Sequence, residues 1–514
     1  MAQRVSGGPP LGSPGNAAEG RAHRTARHTV AMPELHELTA LDLAAAYRRG
    51  DTSPREVVDA LLARVEASGD AVGAFITVTA DVARRDADRA EAALRTDRDG
   101  SPLLLGVPTA IKDLNQTAGV RTTFGSAATA DTVPAVSDEV VLRIERAGMV
   151  SLGKTNTPEF GAPCYTEPAV APPARTPYDL DRSAGGSSGG AAAAVAAALL
   201  PIAQGSDGGG SIRIPASACG VVGFKPSRGR ISSAPVYGDI TGLGTPGPLA
   251  TTVRDAAAML DAMAGPEVGD PTWAAPLPAD ETYLDWCRRP PARLRIARFA
   301  SPPIGDGTVE ADVLAGYERA AGLLDGLGHE MVDIDLTLPE QAVRAFEVAW
   351  AVSCAAWPVD PAREAELRPL TRWLRGRGAA VPAPEFAGAL VMMRQTAAAI
   401  RRQLAPYDAV LTPTLAQVPA PVGGLRDDDD PARDFAHQKR FTPFTALWNV
   451  TGMPAVSLPL HWSEASPLLP VGVMLAGRAG DDHLLLALAA QVEDAATVSG
   501  RWPHPATAFT AAQP

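Results

Sequence analysis

A glycine-rich stretch, GSDGGGSIRIP (Gly205–Pro215), contains a serine that could act as a nucleophile, Ser211. A second stretch upstream, GGSSGG, sets Ser187 and Ser188 between pairs of glycines. A serine hydroxyl attacks a carbonyl only when a base removes its proton and donors stabilise the oxygen that becomes negative. Backbone N–H groups in a glycine turn can supply those donors, here at Gly208, Gly209 and Gly210. The pattern predicts a serine hydrolase, provided that the chain also supplies a base.

Lysine is the candidate for that base. The sequence has no histidine between His36 and His329, and the later histidines stand in no recognisable motif. Only four of the 46 basic residues are lysine, which suggests that lysine is kept where arginine cannot serve. Arginine does not lose its proton in a protein, whereas a buried lysine can. Lys112 ends an apolar predicted strand, LLLGVPTAIKDL, where burial would lower its pKa, and we predict it as the base.

The segments around these residues predict alternating strands and helices. IAQGSD predicts a strand that leads into the glycine turn, and a small-residue helix follows GGSSGG until Pro201. IPASACG predicts a short helix with Pro215 in its first turn. Because strands and helices alternate from about residue 104 to 260, we expect an α/β core with helices on both faces of a sheet.

The rest of the chain adds further predicted helices and strands, and its pattern is weakest between about residues 270 and 440. Two amphipathic helices separated by GDTSP are predicted near the start, with Pro54 at the first position of the second helix. Between about residues 270 and 440 the pattern predicts helices at Val309–Leu327 and Glu385–Leu404 and strands at Leu294–Ala297 and Ala409–Leu411. MPAVSLPL and PVGVMLAG predict late core strands.

Composition limits the partners and the compartment. The net charge of −12 argues against nucleic acid and anionic membranes, and no apolar run is long enough to span a bilayer. We predict that residues 1–32 are a disordered extension without a secretory signal and that 33–505 form a single domain. The four cysteines have no metal-ligand spacing, so we expect a cytoplasmic protein without a metal site. One of them, Cys164 in GAPCYTEP, is a candidate for the wall of a substrate pocket or equally for a small core residue.

One motif points to a different function. GMVSLGKT (Gly148–Thr155) fits the P-loop pattern G-x-x-x-x-G-K-[ST] of nucleotide hydrolases. A P-loop follows a strand and opens a helix, but here a predicted helix, SDEVVLRIERAG, precedes the motif and the intervening MVSL is apolar. We therefore predict a strand that ends in KTN, and the nucleotide hydrolase is disfavoured.

Together, IKD, GGSSGG and GSDGGGSIRIP resemble the amidase signature family of serine hydrolases, whose paired serines are 24 positions apart, as Ser187 and Ser211 are. The resemblance runs from about Leu38 to Val492 through KTNTPEFG, GVVGFKPSRGR, YDAVLTPT and NVTGMPAVSLP. It implies the amidase signature fold, with a large mixed β-sheet core flanked by helices on both faces. It also implies that Ser211 is the nucleophile, Ser187 the bridging serine and Lys112 the base.

The same resemblance implies the remaining parts of the site. The backbone from Gly208 to Ser211 would form the oxyanion hole, and Asp207, Arg213 and Ser188 would support it. The implied reaction is hydrolysis of a carboxamide C–N bond through an acyl-enzyme, which releases a carboxylic acid and an amine or ammonia without a metal or organic cofactor. The expected partner is a small-molecule amide, and a homodimer is expected from the family alone.

Three alternatives to a general amidase stay open. Gly208 and SIRIPASACG are similar to the 6-aminohexanoate-cyclic-dimer hydrolase branch, which makes a cyclic or linear oligoamide an alternative substrate. A glutaminase subunit of a tRNA-dependent amidotransferase is disfavoured, because Ile214 stands where that subunit usually has Gln and Gly238–Pro248 lacks its Ser-Leu-Asp sequence. A non-catalytic binding subunit with the same fold is the third.

Overall fold

The computed structural model describes residues 34–68, 70–236, 238–305, 307–464, 467–500 and 502. The predicted disordered extension, residues 1–32, lies outside this part of the chain. The domain boundaries proposed from sequence, 33 and 505, lie outside it as well and stay a prediction.

Among the described residues, eleven strands form two sheets. The smaller sheet has the order β1-β3-β2, with β2 and β3 parallel. The larger sheet has the order β4-β6-β5-β10-β11-β9-β7-β8 and is mixed, because β7 runs parallel to β8 and β9 while the other neighbours are antiparallel. The strands are β1 (Phe75–Val78), β2 (Pro108–Lys112), β3 (Val150–Thr155), β4 (Ile202–Asp207), β5 (Val222–Lys225), β6 (Thr245–Ala250), β7 (Arg295–Arg298), β8 (Glu330–Asp333), β9 (Ala409–Pro413), β10 (Ala455–Trp462) and β11 (Pro470–Gly477).

Helices connect these strands. In chain order the α-helices are α1 (Ala40–Arg49), α2 (Pro54–Ser68), α3 (Ala80–Thr96), α4 (Glu139–Arg146), α5 (Gly189–Ala196), α6 (Arg213–Cys219), α7 (Val253–Met263), α8 (Tyr283–Trp286), α9 (Ala311–Gly326), α10 (Glu340–Ala355), α11 (Pro369–Ala379), α12 (Ala383–Leu404), α13 (Pro431–Phe441), α14 (Ala446–Thr451) and α15 (Asp482–Val498). Within the described ranges, no helix combines the length and the apolar character that a bilayer crossing requires.

Both faces of the larger sheet are covered, as predicted. On β11, Val473 and Leu475 pack into a core shared with α9 and α15, whereas Met474 and Ala476 pack into a core shared with α12 and α14. Successive residues of a strand point to opposite faces, so a strand that is buried on both sides places alternate side chains in two cores. The α/β fold with a large mixed sheet flanked by helices is therefore confirmed.

The P-loop pattern corresponds to a strand in the structure. Val150–Thr155 forms β3, which is buried and central in the smaller sheet. The Lys154 ammonium is buried and donates hydrogen bonds to the backbone oxygen of Asn115 and the hydroxyl of Thr122. A lysine used in this way is not available to bind a phosphate at a helix N-terminus.

Strand β6 was missed by sequence reasoning because it contains two prolines, Pro246 and Pro248. Proline interrupts a hydrogen-bonded ladder and argues against a central strand. The structure tolerates both prolines, because β6 pairs with β5 only through the last two residues of β6, Leu249 and Ala250. The other flank of β6 pairs with β4 along its whole length.

Helix α5 sets the position of the loop before it, and its packing gives the first prediction. All eight of its residues are buried, and a Cβ on Gly190 would lie 2.3 Å from the Asn156 nitrogen and 2.4 Å from the Ala74 oxygen. Backbone atoms cannot move aside cheaply. We expect Gly190→Ala to lower the free energy of unfolding by about 1–3 kcal/mol, measured by urea unfolding followed by circular dichroism.

Gly322→Ala in α9 is the matched control, because a Cβ there meets no atom within 4 Å. That variant should gain about 0.5–1 kcal/mol from the better helix propensity of alanine. Equal effects of the two substitutions would contradict the packing described for α5.

Candidate active site

Lys112 is the last residue of β2 and is fully buried. Its Nζ donates a hydrogen bond to Ser187 Oγ at 2.7 Å and a second to the Ser206 backbone oxygen at 3.2 Å. Its backbone N–H donates to the side chain of Gln204 on β4 at 2.9 Å. The smaller sheet is thus joined to the first strand of the larger one at the point where the lysine emerges.

Ser187 and Ser188 lie in the segment that leads into α5. The Gly186–Ser187 peptide is cis, and both serines are buried. The Ser188 N–H donates to the Ser211 backbone oxygen at 3.0 Å, and the Ser188 hydroxyl donates to the Ser206 oxygen at 3.1 Å. Ser188 therefore binds backbone, which leaves the Ser187 hydroxyl as the partner of Lys112.

Ser211 lies in the turn between β4 and α6 and borders an open cleft. Its backbone is joined to the Ser188 backbone, so the segments of the two candidate serines lie side by side. The Ser211 hydroxyl forms no hydrogen bond with a described residue in this conformation. The Ser187 hydroxyl lies in the neighbouring segment but is not bonded to it. A χ1 rotation is the movement open to a serine hydroxyl at fixed backbone.

The turn is held by a buried ion pair between Asp207, the last residue of β4, and Arg213, the first residue of α6. Arg213 donates to both carboxylate oxygens at 2.9 Å. Asn449, in α14, donates to the same carboxylate at 2.8 Å and accepts from the Arg213 guanidinium at 2.7 Å. Burial alone would raise the pKa of Asp207. The charge and hydrogen bonds of Arg213, together with the hydrogen bond from Asn449, hold this pKa below its ordinary value.

The Asp207 carboxylate also accepts hydrogen bonds from the turn in which the oxyanion hole was predicted. It accepts the backbone N–H of Gly210 at 2.7 Å and that of Ile212 at 3.1 Å. The N–H of Gly210 thus has an anionic acceptor in this conformation, and the oxyanion hole of Gly208, Gly209 and Gly210 stays a prediction. The N–H groups of Gly208, Gly209 and Ser211 donate no hydrogen bond to a residue in the described part of the chain.

The glycine at position 210 is also required by the shape of the turn. Its φ of +130° lies in a region that side chains rarely adopt, and a Cβ there would lie 2.5 Å from the Thr445 hydroxyl oxygen. Thr445 donates to the backbone oxygen of Gly209 at 2.7 Å. Only glycine lets the turn pass this close to α14.

Burial sets the protonation of the candidate base. It lowers the pKa of Lys112 to about 7, against the opposing attraction of the Asp207 carboxylate. The hydrogen-bond acceptors around Nζ are a neutral hydroxyl and a neutral carbonyl. The amine can therefore lose its proton near neutral pH, as a general base must.

A cleft with about 980 Å³ of space, counting its open mouth, leads to Ser211. Its walls are mostly apolar and come from α10, α12, α13 and α14 together with the 162–164 segment. Cys164 borders the cleft and also packs in a buried apolar cluster with Tyr165 and Ile214, and its backbone N–H donates to the Gln438 side-chain oxygen at 2.9 Å. Burial raises the pKa of the Cys164 thiol, so it lines the cleft as a neutral group.

Sequence reasoning missed the residues that support the site from a distance. Asn449 and Gln204 were not assigned, although Asn449 begins the quoted motif NVTGMPAVSLP. The individual side chains of α10 and α13 that form the cleft walls were not identified, because the helices in that region carry no motif. Among the described residues, no three His, Cys, Asp or Glu side chains are grouped closely enough to hold a metal ion.

Comparison with known proteins gives a consistent result. The Amidase family profile matches residues 56–486. The 6-aminohexanoate-cyclic-dimer hydrolase of Paenarthrobacter ureafaciens is 36% identical over 486 residues, which cover 89% of this chain and 94% of that protein. A glutamyl-tRNA(Gln) amidotransferase subunit of Synechococcus sp. is 37% identical, over 88% of this chain and 96% of that protein. A solved structure of a 6-aminohexanoate cyclic dimer hydrolase with its substrate is similar with a TM-score of 0.82 and 31% identity, and covers 92% of this chain and 99% of that chain.

The Asp207–Arg213 pair gives the second prediction. Asp207→Asn leaves the Arg213 charge buried without compensation and weakens the acceptor of the Gly210 and Ile212 N–H groups. We expect a loss of about 3–5 kcal/mol in the free energy of unfolding, measured by urea unfolding.

The matched control is Asp51→Asn, at a solvent-exposed pair with Arg49. Exposed pairs contribute little to stability, so this variant should unfold almost as the wild type does. A loss at Asp207 no larger than at Asp51 would contradict the role of the buried pair.

Proposed function

Because the chain belongs to the Amidase family and is a hydrolase of carbon–nitrogen bonds, we propose that it cleaves carboxamides through an acyl-enzyme on Ser211, with Ser187 and Lys112 as the proton relay. The observation that carries the proposal is the 2.7 Å hydrogen bond from Lys112 Nζ to Ser187 Oγ, in a buried site beside the Ser211 turn. This contact places an amine with a pKa of about 7 beside a serine, in a part of the sequence that has no histidine between His36 and His329.

Acylation begins with neutral Lys112. The amine accepts the Ser187 proton while Ser187 accepts the Ser211 proton, and Ser211 Oγ attacks the amide carbon. For this the Ser211 side chain turns toward Ser187. The carbonyl oxygen becomes negative and accepts hydrogen bonds from the N–H groups of Gly208, Gly209 and Ser211, which a pre-formed turn supplies without reorganisation.

Collapse of the tetrahedral intermediate breaks the C–N bond. The departing nitrogen takes a proton from Ser187, which is re-protonated by the Lys112 ammonium, because an unprotonated amide nitrogen is a very poor leaving group. A water molecule then gives one proton to the same relay and attacks the ester carbon. The bond between that carbon and Ser211 Oγ breaks, and the relay returns the proton to Ser211 Oγ. The products are a carboxylic acid and an amine or ammonia, and Lys112 is neutral again.

Two other buried lysines are poor candidates for the base. Lys154 Nζ donates to the Asn115 oxygen and to the hydroxyls of Thr117 and Thr122. Lys225 Nζ donates to the Pro226 oxygen at 2.8 Å. Neither donates to a candidate serine, which favours Lys112.

The apolar cleft supports a small or medium carboxamide with a hydrocarbon portion as substrate. A cyclic or linear oligoamide of the 6-aminohexanoate type is the second candidate, supported by the similarity to 6-aminohexanoate-cyclic-dimer hydrolase in sequence and in structure.

Covalent labelling tests the nucleophile. A fluorophosphonate probe should modify Ser211 and no other serine, because only this hydroxyl would be activated beside an oxyanion hole. Peptide mass spectrometry would locate the label. Ser211→Ala should remove it, whereas Ser188→Ala should keep it on Ser211, since Ser188 binds backbone. A label on another residue would overturn the assignment.

The pH profile tests the base. Lys112 acts only when neutral, so kcat/KM for a simple amide should fall about tenfold per pH unit below a pKa of about 7 and level off above it. Lys112→Arg keeps the charge but cannot release a proton, and should lower kcat roughly 10²–10⁴-fold.

Lys225→Met is the matched control for the fall of kcat/KM at low pH. Lys225 is also buried, and its pKa is lowered to about 7 by burial and, to a smaller extent, by repulsion from Arg213. This variant should keep the acid limb at the same pH. If the fall of kcat/KM at low pH disappears in Lys225→Met but persists in Lys112→Arg, the titrating group is Lys225 and the assignment of Lys112 as the base is wrong.

A further inference from the structure

The cleft that leads to Ser211 contains one ion pair. Among the described residues that line it, only Glu347 of α10 and Lys439 of α13 carry a charge. Lys439 Nζ donates to Glu347 Oε1 at 2.7 Å. The two side chains are partly buried, with exposed fractions of 16% for Glu347 and 39% for Lys439.

Apolar and aromatic groups surround this pair. The Lys439 ammonium lies 5.7 Å from the centre of the Phe435 ring. On the helix of Glu347, the Phe346 and Trp350 rings are stacked with centres 5.4 Å apart. Both rings lie against the glycine turn, because a Cβ on Gly209 would be 3.7 Å from Phe346 and 3.8 Å from Trp350. A ligand that reaches Ser211 therefore passes hydrocarbon surface with a neutral pair of charges in it.

A paired charge and a single charge act differently in such a place. The pair has no net charge, and each partner already has its strongest acceptor or donor. A substrate with its own ammonium or carboxylate would have to be desolvated and would also have to compete with the existing pair, which costs free energy. An uncharged chain meets neither cost.

We propose that the Glu347–Lys439 pair determines substrate specificity, by holding the cleft neutral so that amides with an uncharged apolar portion are accepted and those with a charged portion are rejected. This inference rests on the proposed amidase activity. Rejection by paired charges is a form of specificity that acts against the wrong ligand. It follows that removal of one partner changes the preferred charge of the substrate rather than only the rate.

The test uses three amides of one chain length: pentanamide, 5-aminopentanamide and the monoamide of glutaric acid. Wild-type kcat/KM should be highest for pentanamide. In Glu347→Gln the free Lys439 should raise the rate on the glutaric monoamide, relative to pentanamide, about tenfold. In Lys439→Met the free Glu347 should raise the relative rate on 5-aminopentanamide by a similar factor.

Two further sets of amides show whether the acyl or the amine portion occupies the cleft. N-butyl amides of the same three acyl groups carry the charge on the acyl portion, and butanamides with a charged N-alkyl group carry it on the amine portion. The double variant Glu347→Gln/Lys439→Met should prefer the uncharged amide again. Every comparison is a ratio within one variant, so a general loss of activity does not affect it. Should Glu347→Gln fail to fold, Lys439→Met tests the opposite charge independently.

Two results separate this inference from the proposed function. If wild-type protein hydrolyses none of these amides and takes no fluorophosphonate on Ser211, the proposed function fails. If wild-type protein hydrolyses pentanamide but the ratios stay within twofold in every variant, for acyl-charged and amine-charged compounds alike, the pair merely ties α10 to α13 and the specificity proposal is overturned.

Discussion

The candidate site depends on a carboxylate that accepts five hydrogen bonds while buried away from solvent. Asp207 receives two bonds from Arg213, one from Asn449 and two from backbone N–H groups of the turn that it precedes. A buried ion pair is stabilising only when its desolvation is offset by complete hydrogen bonding, and here every oxygen has partners. This fixes the end of β4, the start of α6 and the position of α14 to one another. The Ser211 turn lies between these elements, so its shape is a consequence of the pair.

The second constraint is the burial of positive charge. Lys112, Lys154 and Lys225 are all buried, and burial lowers the pKa of each: to about 7 for Lys112 and Lys225 and to about 8 for Lys154. The near absence of lysine elsewhere in the chain agrees with this, since arginine would stay charged at such sites. Lys112 differs from the other two in its partner, the hydroxyl of Ser187 in the segment bonded to the Ser211 turn, and this contact rather than burial alone marks it as the candidate base.

The sequence predicted the centre of the site better than its surroundings. Lys112, Ser187 and Ser211 stand at strand and helix ends that hydrophobic runs and glycines define locally, and β4 begins and ends at the residues predicted. The Asp207 acceptor of the Gly210 N–H was not predicted, because sequence shows the conformational freedom of a glycine but not the acceptor of its N–H. Strand β6 was missed since its prolines are tolerated only by an incomplete pairing. The cleft walls depend on how α10, α12 and α13 pack over the turn, and no local pattern reports such packing.

The packing of α5 also divides the site into a fixed side and an adjustable side. Behind the serines, every residue of α5 is buried, and at Gly190 backbone atoms leave no room for a Cβ. In front of them, bulky side chains from separate helices surround open space. Substitution of the cleft side chains can therefore reshape the entrance while the segments of Ser187 and Ser211 keep their packing, so selectivity for ligands can change by point substitution.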